Sequence, residues 1–387
     1  METVFARTEH SEAVARAEVE AKIARVREVL VARNARAAVL TQSGSVAWLT
    51  AGITNPIERG NPSSPLWIVV TADEVTGLTT NVELPRLREP LAALGLQLEG
   101  IAWYEPDGLA TAAAELAGSA RDDVVSDDES LGLAADALVA IRLSLLPSER
   151  ERLATLGCDA VVALESSLRS WQPGECDFDV QARAAERLER VGALGVCLFV
   201  GGDERVERFR HPLPVGAPIE RLVMAVVVAE RGGLHAAATR FASAGRLPEN
   251  VATAQAAAFA IEGVVLDACQ VGSTYGDVLH ALERAYTAAG HADAWRDHYQ
   301  GGPIGYRQRE FEIVPTQTTS AWYDTPLAEG HALAWNPSVA GGGKSEDTFL
   351  LSDGELLQVT DSGDWPTVEI SGRARAAVLD IATGAEA

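Results

Sequence analysis

The sequence predicts an α+β chain in which an N-terminal α/β segment is followed by a second segment of helices and antiparallel strands. Three observations carry that reading. Short apolar runs alternate with amphipathic stretches up to about residue 145. A capping-box pattern, Ser148-Glu149-Arg150-Glu151, then opens a long helix, and beyond it an apolar hairpin, Leu222–Phe241, precedes two helices and more strands. With 387 residues, 47% of them hydrophobic, the chain can bury a large core; at roughly 150 residues per domain it has two or three domains. The boundary falls at Leu146-Pro147-Ser148, which gives domains 1–146 and 147–387.

Residues 11–33 place Ala, Val and Leu at helical spacing among Glu and Arg, so they predict an amphipathic helix. Ala37–Leu40, Val46–Leu49 and Leu66–Val70 are short apolar runs bounded by turn residues and read as strands. They alternate with helices near 83–94, 108–117 and 133–144, an order that predicts a mixed or parallel sheet. The helix capped by Ser148 and Glu151 extends to about Trp171; a second helix covers Phe178–Val191 and a buried strand Ala193–Val200. Leu222–Ala229 and Leu234–Phe241, joined at Arg231-Gly232-Gly233, form a core hairpin. Helices at 248–268 and 275–289 follow, then strands at Ile304–Val314, Ala332–Asn336, Asp347–Leu351 and Leu356–Thr360, with another hairpin around Gly341.

The 32 basic and 55 acidic residues give a net charge of −23, which repels phosphate backbones and anionic lipid, so nucleic-acid and membrane partners are not expected. The first ten residues lack a basic region followed by an apolar core, and no apolar run approaches the ~20 residues of a membrane span; the expected location is the cytoplasm. Cys158, Cys176, Cys197 and Cys269 make no Cys-x-x-Cys pair, so they read as buried thiols.

His298 to Phe311 is the stretch where chemistry concentrates: His, Gln, Tyr and two Arg surround a Gly-Gly-Pro turn and an isolated Gly, where backbone can approach a ligand closely. It resembles the His-x-x-Gly-His-Gly-Ile-Gly segment, followed by His-Glu or Arg-Glu, of the pita-bread family of aminopeptidase P, prolidase, creatinase and methionine aminopeptidase. His298, Gly301, Ile304, Gly305, Arg309 and Glu310 match, while Gly302 stands at the position of the metal-binding His and Pro303 at that of a Gly. The resemblance spans nearly the whole chain and implies a creatinase-like N-terminal domain, a pita-bread domain to about residue 375, and a homodimer in which the N-terminal domain of one subunit closes the cleft of the other; the loop Thr54–Ser64, with Arg59, is a candidate for that role beside its reading as a solvated loop.

The family's metalloenzymes hold two divalent ions with two Asp, one His and two Glu. By the resemblance these positions fall on Val226, Ala237, Gly302, Asn336 and Glu346, with Thr239 and Arg240 matching a Thr-Arg pair. Hard or borderline cations need several converging O or N donors, and Val, Ala and Gly side chains offer none, so no metal or other cofactor is expected.

His211, in Arg208-Phe209-Arg210-His211-Pro212, is similar to creatinase's general acid/base; an imidazole can exchange protons near neutrality without metal. Arg309 resembles the creatinase Arg that grips a substrate carboxylate through two parallel hydrogen bonds. Glu346 is the candidate carboxylate that assists. His298, Gln300, Tyr306, Asn336, Arg240 and Lys344 are candidates to line the ligand site, with Trp335 and Trp322 as apolar walls. Lys344 and Glu346 lie two apart, hence on the same face if that segment is a strand.

Creatinase's own guanidinium-binding carboxylates fall on the neutral Thr239 and Asn336, so creatine is not the expected substrate. The expectation is a metal-independent hydrolase or lyase acting on a C–N bond of a small carboxylate-bearing molecule. Two alternatives stand beside it: an inactive relative that binds a metabolite or short peptide, and an Xaa-Pro metallopeptidase with a divergent site.

Overall fold

The computed structural model describes residues 11–53, 57–118 and 120–383, so the leader reading at 1–10 and positions 54–56 of the loop assigned to the partner's cleft lie outside the described residues. The chain divides into two compact units, 1–152 with 232–234, and 153–231 with 235–387.

In the first unit, helix α1 (Glu12–Arg33) starts where the Ser11 hydroxyl accepts the Val14 N–H and stops where Asn34 turns left-handed at φ 51°. A five-stranded sheet carries the rest, built from β1 (Ala37–Gln42), β2 (Ser63–Thr71), β3 (Val75–Thr80), β4 (Gln97–Ile101) and β5 (Val124–Ser126), in spatial order β4-β3-β2-β1-β5. β1–β2 and β2–β3 pair antiparallel, whereas β1–β5 and β3–β4 pair parallel, so the sheet is mixed. Ala113 and Ala117 of the helix Gly108–Ala117 pack on Val39, Val69 and Leu78, small residues that let the helix approach the sheet.

Val46–Leu49, read as a strand, is instead the end of the helix Ser43–Leu49. All four residues are buried, and a fully buried apolar run carries no periodicity to separate the two forms.

Beneath α1 lies a buried ionic cluster. Lys22 Nζ contacts Glu18 at 2.5 Å and Glu149 at 2.7 Å, and Arg152 grips both oxygens of Glu18 at 2.8 and 2.9 Å. Burial alone would raise the Glu18 pKa, but Lys22 and Arg152 outweigh it and hold the carboxyl at about 2.

The long helix begins at Pro147, one residue ahead of the expected cap. The Glu149 carboxylate accepts the Leu146 N–H at 2.7 Å, and the Ser148 hydroxyl donates to Glu18 at 2.5 Å.

In the second unit, strands Leu194–Gly202, Leu222–Arg231 and Leu234–Ser243 lie side by side, with Leu379–Asp380 at the edge. A second sheet runs Gly301–Ile304, Ala332–Trp335, Asp347–Ser352, Glu355–Gln358, antiparallel throughout. The two sheets meet where Thr239 N–H donates to Glu346 O at 3.0 Å and Ala237 N–H to Thr348 Oγ1 at 2.7 Å.

The strand expected over Ile304–Val314 ends at Ile304. Beyond it the chain doubles back: Glu310 N–H donates to Pro303 O, and the Glu310 carboxylate accepts the Tyr306 N–H at 2.7 Å. Gly301 closes the approach of this strand to its neighbour. A Cβ there would lie 2.2 Å from Ala334 O, and its φ of +94° belongs to glycine.

Helix Glu249–Ala268 corrects the expectation that no run is long and apolar enough to cross a membrane, because by length and composition this one is. Its apolar residues Val251, Ala258, Phe259, Ile261, Val265 and Leu266 are buried inside the second unit, which accounts for them as core.

Candidate active site

The site assembles where the two sheets meet and bury Lys344 and Glu346 side by side. Glu346 is only 4% exposed, yet its charge is well supplied. The Thr239 hydroxyl donates to Oε2 at 2.8 Å, Asn336 Nδ2 donates to Oε1 at 3.3 Å, and Lys344 Nζ lies 3.5 Å from Oε2. A buried carboxylate persists only with such partners.

Two histidines from distant parts of the sequence meet beside this pair. His298 Nε2 lies 3.2 Å from His211 Nε2, with ring centroids 4.9 Å apart and the edge of Phe199 packed against His211. One nitrogen donates and the other accepts, so the pair is stable only while it shares its protons unequally. Burial drives the His298 pKa down to about 2, and the positive charges of Lys344 and Arg210, joined by His211 when that ring is protonated, push the same way. His211 is lowered too, first by burial and then by Lys344, with Glu346 opposing. The field of the site therefore keeps both imidazoles neutral near pH 7, the form that accepts a proton.

Arg309 reaches into the same region. Its Nη1 donates to Ala334 O at 3.0 Å and its Nε lies 3.7 Å from Glu312. A Cβ placed on Gly302 would meet only Arg309 Cδ, at 3.9 Å, so the missing side chain leaves room beside this guanidinium.

Three expected ligand contacts are drawn elsewhere. Gln300 is 2% exposed, donates from Nε2 to Trp295 O and His298 O, and accepts from Tyr286 OH at 2.8 Å; it braces the His298 backbone. Arg240 is held within the core by Glu165 and Asp347, each at 2.9 Å, and by the Thr360 carbonyl at 2.8 Å. Tyr306 is 1% exposed, in the turn closed by Glu310. Trp335 is fully buried as core, and Trp322 stacks on Phe311 at 4.2 Å. A polar residue in a Gly-rich loop, as Gln300 and Tyr306 are, gives no sequence signal for which way it faces, and Arg240 in its strand gives none for which buried carboxylates it joins.

The sequence reading passed over Cys197, Thr239 as a support for Glu346, Ser338 and Arg210. Cys197 has its thiol pKa raised by burial and by Glu346, with Lys344 opposing, which places it within the field of the site. Arg210 sits in the quoted run beside His211, where an Arg directly preceding a candidate proton carrier was a usable signal.

The residues do not fit the two-metal centre that the resemblance implies. Val226 is packed into an apolar cluster with Phe199, Met224 and Phe241, Ala237 is 1% exposed, and neither offers a donor atom. Asn336 offers an amide, and Glu346 is already engaged by a lysine ammonium. Among the described residues no group of three or more His, Cys, Asp or Glu side chains gathers as a metal site.

No protein-family model matches the chain, and no curated protein sequence does. Solved structures do. The dipeptidase PepE from Mycobacterium ulcerans aligns at 20% identity over 91% of this chain and 97% of its own, with a TM-score of 0.73. Prolidase from Pyrococcus horikoshii aligns at 14% identity over 88% and 98%, with a TM-score of 0.69. The N-terminal domain of the FACT complex subunit SPT16 from chickpea aligns at 10% identity over 97% and 100%, with a TM-score of 0.65. With helices and sheets arranged as in these structures, the chain has the α+β pita-bread fold.

Proposed function

We propose that the chain is a metal-independent, creatinase-type hydrolase or lyase that cleaves a C–N bond in a small carboxylate-bearing molecule. The observation that carries this reading is the His211–His298 pair at 3.2 Å, kept neutral beside a buried Lys344–Glu346 ion pair. In hydrolysis, His211 takes a proton from water as the water oxygen bonds to the carbon. The C–N bond then breaks, and the departing nitrogen leaves with that proton. His298 orients the His211 ring through the shared hydrogen bond. Glu346 anchors Lys344, whose charge favours the oxyanion that develops on the attacked group.

Prolidases and dipeptidases among the structural neighbours support a hydrolase of amide-like bonds. The test is a panel of N-acyl and N-carbamoyl amino acids followed by mass spectrometry, with and without a chelator. Turnover that survives chelation and is lost by 10²-fold or more in His211→Asn is the expected result. Turnover indifferent to His211, or dependent on added metal, refutes it.

A second reading, a ligand-binding protein without catalysis, is favoured by the engagement of Glu346 with Thr239, Asn336 and Lys344, which leaves no free carboxylate. The fold also serves in a subunit of the FACT complex. Absence of turnover across the panel together with retained ligand binding would establish it. For either reading we propose a homodimer, checked by light scattering.

A further inference from the structure

Next to the histidine pair lies a cavity of about 310 Å³, within the second unit, whose lining includes Arg208, Phe209, Arg210, Met224, Ser338 and Lys344. Its volume suits a small metabolite. Three of its polar groups lack the partners that their burial calls for. Ser338 is 1% exposed, and its hydroxyl oxygen makes no hydrogen bond. Lys344 is 4% exposed, and its ammonium has the Glu346 contact at 3.5 Å to serve three donor hydrogens. The half-buried Arg210 guanidinium makes neither a hydrogen bond nor an ion pair among the described residues, although burial already works against its charge.

Buried donors without acceptors cost free energy unless something occupies the space between them. The acidic groups on the cavity wall do not fill that role. Glu207 accepts a hydrogen bond from Asn250 at 2.8 Å, and Asp297 interacts with Arg210 at long range without forming an ion pair. Two residues ahead of Ser338 in the chain, the Asn336 side-chain oxygen is also buried and unpartnered, an acceptor for a ligand N–H or O–H.

We infer that this cavity is the anion subsite: Arg210, Ser338 and Lys344 hold the carboxylate or phosphate of a small organic anion, and Phe209 and Met224 cover its carbon body. The inference rests on the proposed small-molecule reading and deepens it, because it moves the anion anchor from Arg309 to Arg210. Arg309 already donates to Ala334 O, whereas Arg210 has its whole fork free. A bound anion here lies beside His211, the residue that follows Arg210 in the chain.

The experiment is calorimetric titration of the full chain with N-acetylglycine, benzoate and inorganic phosphate, for the wild type and for Arg210→Gln, Ser338→Ala and His211→Asn. Since Arg210 makes no internal bond, its replacement leaves the fold intact, which the thermal transition verifies. Expected is saturable binding of at least one anion, weakened about tenfold or more by Arg210→Gln and less by Ser338→Ala. His211→Asn keeps that binding while losing turnover. Preference for phosphate over the two carboxylates identifies the anion as a phosphate, and the reverse identifies a carboxylate. Absence of binding for all three probes, or equal affinity in Arg210→Gln and wild type, overturns the subsite. Loss of turnover in His211→Asn with anion affinity unaffected by Arg210→Gln overturns the subsite alone and leaves the catalytic reading standing.

Discussion

Replacing His298 with Gln isolates one buried imidazole and gives a measurable shift in acid stability. In the native chain the His298 pKa falls from 6.5 to about 2. The folded protein therefore keeps this ring neutral at pH 5, while the unfolded chain protonates it below about 6.5. The unfolded state binds the extra proton, so the contribution of His298 to stability is greatest above pH 6.5 and falls as pH drops toward the native pKa. Between those limits the slope is about 1.4 kcal/mol per pH unit, which amounts to about 2 kcal/mol lost between pH 7.5 and 5.0.

Gln keeps polar atoms near Tyr299 and His211 but does not titrate. The difference in unfolding free energy between pH 7.5 and 5.0, from urea denaturation followed by tryptophan fluorescence, should be smaller in His298→Gln by about 2 kcal/mol. In parallel, the His298 ring signal in proton NMR should stay at its neutral shift down to pH 5. Equal pH dependence in the two proteins, or a ring titrating near 6.5, would refute the electrostatic account of the histidine pair.

Gly301→Ala places a Cβ against Ala334 O at 2.2 Å with φ at +94°, so a loss of about 3 kcal/mol or more is expected by thermal denaturation; a change under 1 kcal/mol would mean the strand can shift. Arg240→Met leaves Glu165 and Asp347 buried without their shared cation, although Asp347 retains Arg375 at 2.9 Å, and should cost about 3–5 kcal/mol in urea unfolding. Glu18→Gln removes a carboxyl whose pKa drops from 4.5 to about 2. Its charge supplies stability that is present above pH 4.5 and lost as pH falls through the native pKa, so this variant should unfold at neutral pH with about 3 kcal/mol less stability and show a flatter acid limb.

Much of the architecture was legible because periodicity and caps speak locally. The helix from Glu12, the hairpin about Arg231 and the two helices after it follow from apolar spacing and turn residues alone. Where the structure departs from the sequence reading, the missing information is tertiary. Val46–Leu49 is buried all round and could not reveal its period. The segment after Ile304 carries strand-like residues but folds back because Glu310 reaches its own loop backbone. At the site, His211 and His298 were named separately from their motifs, yet their 87-residue separation hid that they touch. Ser338 and Cys197 could be recognised only by what they lack or what surrounds them, neither of which is written in neighbouring residues, whereas Arg210 stands directly before His211 and could be found from that place.

The charges of the site make sense as a set. By the resemblance to two-metal enzymes, four ligand positions hold Val226, Ala237, Gly302 and Asn336, none of them charged. The fifth, Glu346, keeps its carboxylate and finds its positive partner in Lys344, 3.5 Å away and equally buried. Keeping more carboxylates without metal would leave uncompensated buried anions, and placing a divalent ion beside Lys344 would set like charges together. One ammonium against one carboxylate is the combination that this interior tolerates. The neighbouring cavity sets Arg208, Arg210 and Lys344 against Glu207 and Asp297, with Glu346 beside Lys344, and among the described residues Arg210 makes no hydrogen bond or ion pair. Under the proposed reading an anion paired with Arg210 completes this balance inside a chain whose net charge is −23, which is why its ligand is to be sought among small acids.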